Sequence, residues 1–134
     1  NLKKLSLLML GIATVKYKKK LVSEQELLMR IADLIIETYI AESAVLKTEK
    51  LIKKQGKEKS ITEIHMTQNY LQHSINIARY CSEEIIMSTT SGLKNKFLLS
   101  VSRQLTSHLK YDMKQIRRNI SEKLQQETKY SFSI

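Results

Sequence analysis

Three histidines are the residues of this chain best suited to metal binding or acid–base catalysis, and their spacing favours neither role. His65 and His73 lie eight residues apart, which is about 12 Å along a helix axis at 1.5 Å per residue. One metal ion cannot bridge that distance, and no histidine follows a glutamate at the Glu-x-x-His spacing of di-metal bundle sites. We therefore interpret His65, His73 and His108 as polar surface or hydrogen-bonded interface residues.

The other chemically capable residues also lack partners in the sequence pattern. Glu83 and Glu84 are neighbours, so on a helix they point about 100° apart and do not form a carboxylate dyad. Cys81 is the single cysteine, and its place in a helical pattern predicts a buried, inert thiol. No phosphate-binding glycine motif and no Gly-x-Ser-x-Gly elbow occurs. We expect no catalytic, cofactor-binding or metal site in this chain.

The composition favours long helices. The 134 residues include no proline and three glycines, and they suffice for one domain with a substantial core. No convincing strand pattern of period two is present. We predict an all-α fold, an antiparallel up-and-down bundle of about five helices in one domain over residues 1–134, with a long hairpin of the second and third helices.

The second predicted helix, Leu27 to Ile52, has the clearest pattern. One line of residues advances in alternating steps of four and three: Leu27, Ile31, Leu34, Thr38, Ala41, Val45, Thr48 and Ile52. A second apolar line beside it predicts contact with more than one neighbour: Leu28, Ile35, Tyr39 and Leu46. Ser23 and Glu26 match a capping box at its start, and Lys53, Lys54 and Gly56 match a helix end.

Similar signals bound the remaining helices. Ser60 and Glu63 repeat the capping box before a third helix that reaches about Ser88, and Gly92 follows as a stop. A fourth helix is predicted from about Leu93 to His108. Asp112 is a predicted N-cap for a fifth helix with Met113, Ile116, Ile120 and Leu124 on one face. The tail Thr128 to Ile134 is predicted to be irregular.

The first segment, Leu2 to Val15, is mainly apolar and is flanked by lysines. It is too short to span a bilayer, which needs about 20 residues, and it lacks a signal-peptide cleavage site. A buried helix is our interpretation, and an interfacial membrane helix is the alternative.

The net charge of +10 is concentrated at the two ends of the chain. Residues 1–20 contain six lysines and no acid. We predict a docking surface for an acidic or anionic partner, such as an anionic membrane, at the basic residues Lys16, Lys18, Lys19, Lys20, Arg117 and Arg118. A solvated lysine face without a partner is the alternative.

Nucleic acid is disfavoured as a partner, because Tyr17 is the only aromatic residue interleaved with the basic runs.

Several segments resemble one known domain. RIADLIIETYIAESAVLKTEKLI (Arg30 to Ile52), HMTQNYLQHSINIARYC (His65 to Cys81), RRNISEKL (Arg117 to Leu124) and KYSF (Lys129 to Phe132) are similar to the C-terminal helical extension of very-long-chain-type acyl-CoA dehydrogenases. The chain departs from that pattern at Ser131, where the family often has proline, and it lacks a proline before the last helix.

The resemblance implies a parent flavoprotein that binds FAD and oxidises fatty acyl-CoA to trans-2-enoyl-CoA in β-oxidation. The catalytic base and the FAD contacts would lie in an upstream core, so this chain would be a non-catalytic accessory domain that packs on that core and supports membrane or subunit association. Its first residue, Asn1, is not methionine, and we interpret the chain as a piece of a longer one. The implied location is cytoplasmic, with peripheral membrane contact, in a bacterium, and mitochondrial in a eukaryote.

Two other functional classes compete with this interpretation. One is a free-standing basic helical module that binds anionic membrane or nucleic acid, and the other is a structural oligomerisation bundle. If the chain is excised from a larger protein, part of its apolar surface once faced the core, with candidates Leu7, Leu8, Leu10, Ile12, Tyr39 and Leu46. We therefore expect the isolated chain to form a homodimer or to aggregate at high concentration.

Overall fold

The structure is a computed structural model, and it describes residues 1–107 and 109–126. Five α-helices occur in these ranges: α1 (Leu2–Tyr17), α2 (Gln25–Gln55), α3 (Ile61–Thr89), α4 (Gly92–Leu105) and α5 (Met113–Gln126). A 3-10 helix, Lys18–Ser23, which we call the basic turn, joins α1 to α2. The described residues contain no strand, and the prediction of an all-α bundle of five helices is confirmed.

The chain divides into two compact units. The first unit comprises Asn1–Ile40 and His73–His108, and the second comprises Ala41–Gln72 and Leu109–Ile134. The long helices α2 and α3 each contribute to both units. That residues 1–134 form one accessory domain stays a prediction.

Four helices enclose the core of the first unit. Hydrogen bonds join Ser6 of α1 to Thr38 of α2, Glu37 of α2 to Ser74 of α3, and Ser82 of α3 to Ser102 of α4, while α4 also contacts α1. Residue numbers rise along α2 as they fall along α3, since Arg30 pairs with Glu84 and Glu37 with Ser74. The second and third helices therefore run antiparallel here, as the sequence predicted.

The core of this unit is apolar and continuous. It contains the following buried residues: Leu5, Met9, Ala13, Leu27, Ile31, Leu34, Ala78, Cys81, Ile85, Ile86 and Leu98. The line predicted on the second helix supplies Leu27, Ile31 and Leu34 to it, so that part of the pattern is confirmed. Helix α1 is buried on one face only, because Leu7 and Val15 are exposed while Leu5 and Met9 are buried.

The second unit combines the end of α2, the start of α3 and α5. The hydroxyls of Thr48 and Thr67 lie 2.6 Å apart between α2 and α3. On α5, Ile116 is buried and Met113 and Ile120 are half-buried, as predicted, while Leu124 is exposed. The predicted N-cap is confirmed, because one Asp112 carboxylate oxygen accepts the backbone N–H groups of Lys114 at 3.0 Å and Gln115 at 3.1 Å.

The capping box predicted at Ser23 and Glu26 is wrong about where α2 starts. The 3-10 helix continues through Ser23, and the Glu24 N–H donates to the Leu21 carbonyl at 3.1 Å. The first α-helical bond runs from the Leu28 N–H to the Glu24 carbonyl at 3.0 Å, so Glu24 is the N-cap. The short 3-10 helix includes Ser23, the predicted cap residue, and α2 begins one residue later than the motif requires.

The turn between α2 and α3 follows the prediction. Gly56 has a positive φ of 88°, which a residue without a Cβ adopts readily. Its N–H donates to the Ile52 carbonyl at 2.9 Å. Ser60 precedes α3 and its carbonyl accepts the Ile64 N–H at 3.0 Å, so the predicted start of the third helix is confirmed.

Helix α4 is shorter than predicted. It ends at Leu105, and the side chain of Arg79 on α3 binds the next residue, donating to the Thr106 hydroxyl at 3.2 Å and to the Thr106 carbonyl. The Arg79 guanidinium thus binds the carbonyl of the residue that follows α4. His108 and the tail Thr128 to Ile134 lie outside the described residues.

Candidate docking surfaces

The basic turn holds most of the predicted docking lysines. Lys18 begins it with a positive φ of 49°, an uncommon conformation for a residue with a side chain. Lys18, Lys19 and Lys20 are exposed. Lys16 has a different role, because its ammonium group donates to the Ser88 carbonyl at 2.7 Å, near the end of α3. A cation at that position stabilises the negative end of the α3 dipole.

The two predicted arginines lie on α5, in the second unit. Both arginines are exposed, and the Arg117 side chain donates to the Asn69 amide oxygen at 3.0 Å and so ties α5 to α3. The structure therefore gives Lys16 and Arg117 contacts inside the chain. That these six residues form a docking surface stays a prediction.

A polar cluster that the sequence analysis missed joins α2 to α3 in the first unit. Arg30 forms an ion pair with Glu84, the Tyr80 hydroxyl donates to the same carboxylate at 2.8 Å, and Asp33 lies 3.6 Å from the Arg30 guanidinium. The hydrogen bond to Glu84 raises the pKa values of Arg30 and Tyr80. The (i, i+4) spacing of Tyr80 and Glu84 and the (i, i+3) spacing of Arg30 and Asp33 were the sequence signals for this cluster.

This cluster borders an open cleft of about 570 Å³. The lining residues are Tyr17, Glu24, Glu26, Leu27, Met29, Arg30, Glu84, Ile85, Met87 and Ser88. Three of these are carboxylates, and the single arginine among them is engaged by Glu84. The cleft is therefore acidic, in a chain of net charge +10.

Glu83 and Glu84 do not act together. Glu83 lies 3.2 Å from Arg103 on α4, while Glu84 pairs with Arg30 on α2. The two carboxylates therefore serve different helix contacts, as their adjacent positions predicted.

The remaining reactive side chains do not assemble into a site. Cys81 is buried and free, as predicted, and burial followed by the charge of Asp33 raises the pKa of its thiol. His73 is exposed and His65 half-buried. Within residues 1–107 and 109–126, no group of three His, Cys, Asp or Glu side chains is placed to hold a metal ion.

Helix α2 carries large apolar residues on the side away from the core. Ile35, Ile36, Tyr39 and Ile40 are all exposed, Tyr39 to 71%, and we call these four residues the α2 face. A helix with one apolar stripe normally turns it inward and covers the other side with polar residues. Leu34 and Thr38, which alternate in sequence with these exposed residues, are buried. The side of α2 toward the core is therefore covered, and the opposite side also needs a surface to pack against.

The residues predicted to have faced a missing core divide into two groups. Leu7, Leu10, Tyr39 and Leu46 are exposed, and that they face a catalytic core stays a prediction. Leu8 and Ile12 instead pack against the buried core of the first unit. They lean inward because Leu5, Met9 and Ala13 fix the buried face of α1 next to them.

The comparisons with known proteins agree with one another. Residues 1–104 match the family model described as acyl-CoA dehydrogenase, C-terminal domain. The chain belongs to the acyl-CoA dehydrogenase family. A probable acyl-CoA dehydrogenase of Bacillus subtilis (strain 168) is 36% identical over 104 residues, which are 78% of this chain and 18% of that protein.

A solved structure extends this relation to nearly the whole chain. The crystal structure of an acyl-CoA dehydrogenase complexed with FAD from Bacillus anthracis has a TM-score of 0.93, with 34% identity, over 98% of this chain and 23% of that one. The chain thus spans less than a quarter of the length of these two relatives. Family membership is confirmed, while the very-long-chain type stays a prediction.

Proposed function

We propose that this chain is the non-catalytic helical C-terminal domain of an FAD-dependent acyl-CoA dehydrogenase, and that it docks onto the catalytic part of the same protein through the α2 face. The observation that carries the proposal is the exposure of Ile35, Ile36, Tyr39 and Ile40 on the side of α2 that faces away from the core. Contiguous apolar surface of this kind marks a contact with another part of a protein or with a partner.

The energy available from this face is substantial. Full burial of one large apolar side chain contributes roughly 1.5–3 kcal/mol, and each of these four residues is between 41% and 71% exposed. Burial of these four side chains against another surface would therefore contribute several kcal/mol to docking. That is on the order of half of a domain's net free energy of unfolding. The proposal explains why the face is apolar, whereas a free-standing module would leave this energy unused.

The similar proteins support the proposal that this chain functions as one domain of a longer protein. The Bacillus anthracis enzyme holds the same fold within a chain more than four times as long, and it is complexed with FAD. We infer that the parent of this chain binds FAD and oxidises fatty acyl-CoA to trans-2-enoyl-CoA. We further propose that this parent enzyme prefers very long acyl chains.

The cleft of the first unit does not fit FAD. Glu24, Glu26 and Glu84 line the cleft of the first unit, and their charges would repel the pyrophosphate of the cofactor. Arg30, the one cation among the lining residues, is engaged by Glu84. We therefore assign the flavin and the catalytic base to the catalytic part of the protein.

The test uses the full-length protein that carries this chain. Ile36→Lys combined with Tyr39→Lys places two charges in the proposed contact, and we expect faster proteolysis between the two parts and a lower melting temperature of the flavin-containing part. Lys47→Glu combined with Lys50→Glu, at exposed positions of α2, is the control and should leave both unchanged. Unchanged proteolysis and melting in the double lysine variant would refute docking through this face.

The same face accounts for the predicted homodimer of the isolated chain. Without the catalytic part, the α2 face is open to self-association. Light scattering over a dilution series should show a concentration-dependent increase in mass for the wild type and a monomer for the Ile36→Lys, Tyr39→Lys variant. A wild-type chain that stays monomeric throughout would count against the apolar contact.

A further inference from the structure

Met29 and Met87 are the two most exposed methionines of the chain, and they line the same cleft. Each residue is 64% exposed, and both border the cleft of the first unit, Met29 from α2 and Met87 from α3. Met9, in contrast, is fully buried in the core of that unit. An oxidant in solution therefore reaches the thioether sulfurs of Met29 and Met87 more readily than that of Met9.

The two exposed sulfurs differ in their polar neighbours. Asn95 lies in the first turn of α4, and its side-chain nitrogen is 3.6 Å from the Met87 sulfur near the end of α3. A thioether sulfur is a weak acceptor, so this contact contributes little by itself. Within the described part of the chain, the Met29 sulfur has no hydrogen-bond donor beside it.

The side-chain amide of Asn95 makes long hydrogen bonds. It donates to the carbonyls of Ile86 at 3.3 Å and Thr90 at 3.4 Å, and to the Thr90 hydroxyl at 3.3 Å. An N–H donor and an oxygen acceptor normally lie about 2.7–3.2 Å apart. The Ile86 carbonyl also accepts the Thr90 N–H at 2.9 Å and the Thr90 hydroxyl at 2.8 Å. A strong acceptor beside Asn95 would therefore gain a donor that its present partners hold weakly.

We propose that Met87 is a reversible oxidation site for hydrogen peroxide, and that its sulfoxide binds Asn95 and so fastens the start of α4 to the end of α3. The thioether sulfur attacks one peroxide oxygen, and the S–O bond forms as the O–O bond breaks. The other oxygen leaves as hydroxide and takes the remaining proton to become water. The sulfur loses two electrons, the peroxide gains them, and the product is a polar sulfoxide.

The surroundings of Met87 suit the new bond. The methionine side chain has three rotatable bonds, so the sulfoxide oxygen can turn toward the Asn95 nitrogen, which already contacts the sulfur. Because Met87 is exposed and lies outside the buried core, its oxidation buries no new polar group. Oxidation here should therefore tighten the contact between α3 and α4, whereas oxidation of a core methionine disrupts packing. This inference does not depend on docking to a catalytic part.

Peptide mapping by mass spectrometry tests the reactivity of the methionines. The 134-residue chain is treated with hydrogen peroxide, and the fraction of sulfoxide at each methionine is followed with time. We expect Met29 and Met87 to be oxidised at similar rates, and both much faster than Met9. Oxidation of Met87 as slow as that of Met9 would overturn the proposal.

Amide hydrogen exchange in the first two turns of α4 tests the new hydrogen bond. One net hydrogen bond shifts a local opening equilibrium by roughly two- to tenfold, so peroxide treatment should slow exchange there by that factor. Met29→Leu is the matched control and should keep the effect, because Met87 remains. Met87→Leu should lose it, and reduction by methionine sulfoxide reductases should restore the original exchange in the wild type.

A donor variant separates the proposed bond from other effects of peroxide. Asn95→Asp keeps the shape of the side chain and removes its N–H donors, so oxidation of Met87 should no longer slow exchange in α4. The proposal is overturned if exchange in the oxidised wild type is unchanged or faster. It is equally overturned if the slowing persists in Met87→Leu or in Asn95→Asp.

Discussion

The hydroxyl oxygens of Ser82 on α3 and Ser102 on α4 lie 2.6 Å apart in a buried contact, and both side chains are inaccessible to solvent. Ser82 also donates to the Arg79 carbonyl at 2.9 Å. Because a hydroxyl has one proton to donate, both contacts of Ser82 are satisfied together when Ser102 donates to Ser82. This pair fixes the position of α4 along α3 by a directional bond.

We predict a strong coupling between these two serines. Ser82→Ala leaves the buried Ser102 hydroxyl without its acceptor and should lower the free energy of unfolding by about 1–3 kcal/mol. The Ser82→Ala, Ser102→Ala double variant removes both partners and should lose less than the sum of the single variants. Urea unfolding of the four proteins measures this coupling, and additive losses would mean that the two hydroxyls do not interact.

The Cys81 thiol should make the protein less stable at alkaline pH. Burial holds its pKa above the ordinary value of 9.0. Below that value both states are protonated. As the pH rises past it, the unfolded chain loses the proton first and unfolding becomes more favourable.

Thermal melting between pH 7.5 and 10 measures this effect. We expect the melting temperature of the wild type to fall with pH more steeply than that of Cys81→Ala, which has no thiol to ionise. The same thiol should react slowly with a disulfide reagent until the protein unfolds. Equal slopes for the two proteins, or rapid reaction in the folded state, would contradict a buried protonated thiol.

Two glycines should respond in opposite ways to the same substitution. Gly56 has a positive φ, so Gly56→Ala should destabilise the protein by about 1–2 kcal/mol. Gly11 lies within α1, and a Cβ added there would meet no atom within 4 Å, so Gly11→Ala should stabilise it by roughly 0.5–1 kcal/mol. Thermal melting compares the two variants directly, and a loss of stability in Gly11→Ala would show that this part of α1 needs the glycine.

The Asp112 cap should control the start of α5. Asp112→Ala removes the acceptor of two backbone N–H groups and should cost about 1 kcal/mol, whereas Asp112→Asn keeps a side-chain oxygen and should cost less. Amide hydrogen exchange in the first turn of α5 is the direct measurement. Faster exchange only in the alanine variant is expected, and equal exchange in all three proteins would exclude a capping role.

Most of the signals that act within four or five residues were interpreted correctly from the sequence, the Ser23 capping box excepted. The steps of four and three placed Leu27, Ile31 and Leu34 in the core, because the helix period alone decides which residues share a face. Gly56 turned the chain and Asp112 capped α5 for the same local reason. The family resemblance also depended on a pattern carried by the residues themselves, and the comparisons confirmed it.

Contacts between residues that are far apart in the sequence could not be predicted from such local signals. At the end of α4, Thr106 accepts a hydrogen bond from Arg79, which is 27 residues earlier, and Lys16 donates to Ser88, which is 72 residues away. The Ser23 capping box failed because the chain between α1 and α2 formed a 3-10 helix through that serine.

The sequence by itself determined the helices, most of their ends and the buried line of α2, since these follow from the helix period and from local backbone chemistry. Only the tertiary structure decided which apolar residues stay uncovered. Leu8 became part of a core contact while Leu93 and Phe97 did not, because burial depends on the neighbouring helix that packs against each face. The tertiary structure likewise decided that the end of α1 and the start of α4 both contact the end of α3, since Lys16 binds the Ser88 carbonyl and Asn95 binds the Ile86 carbonyl.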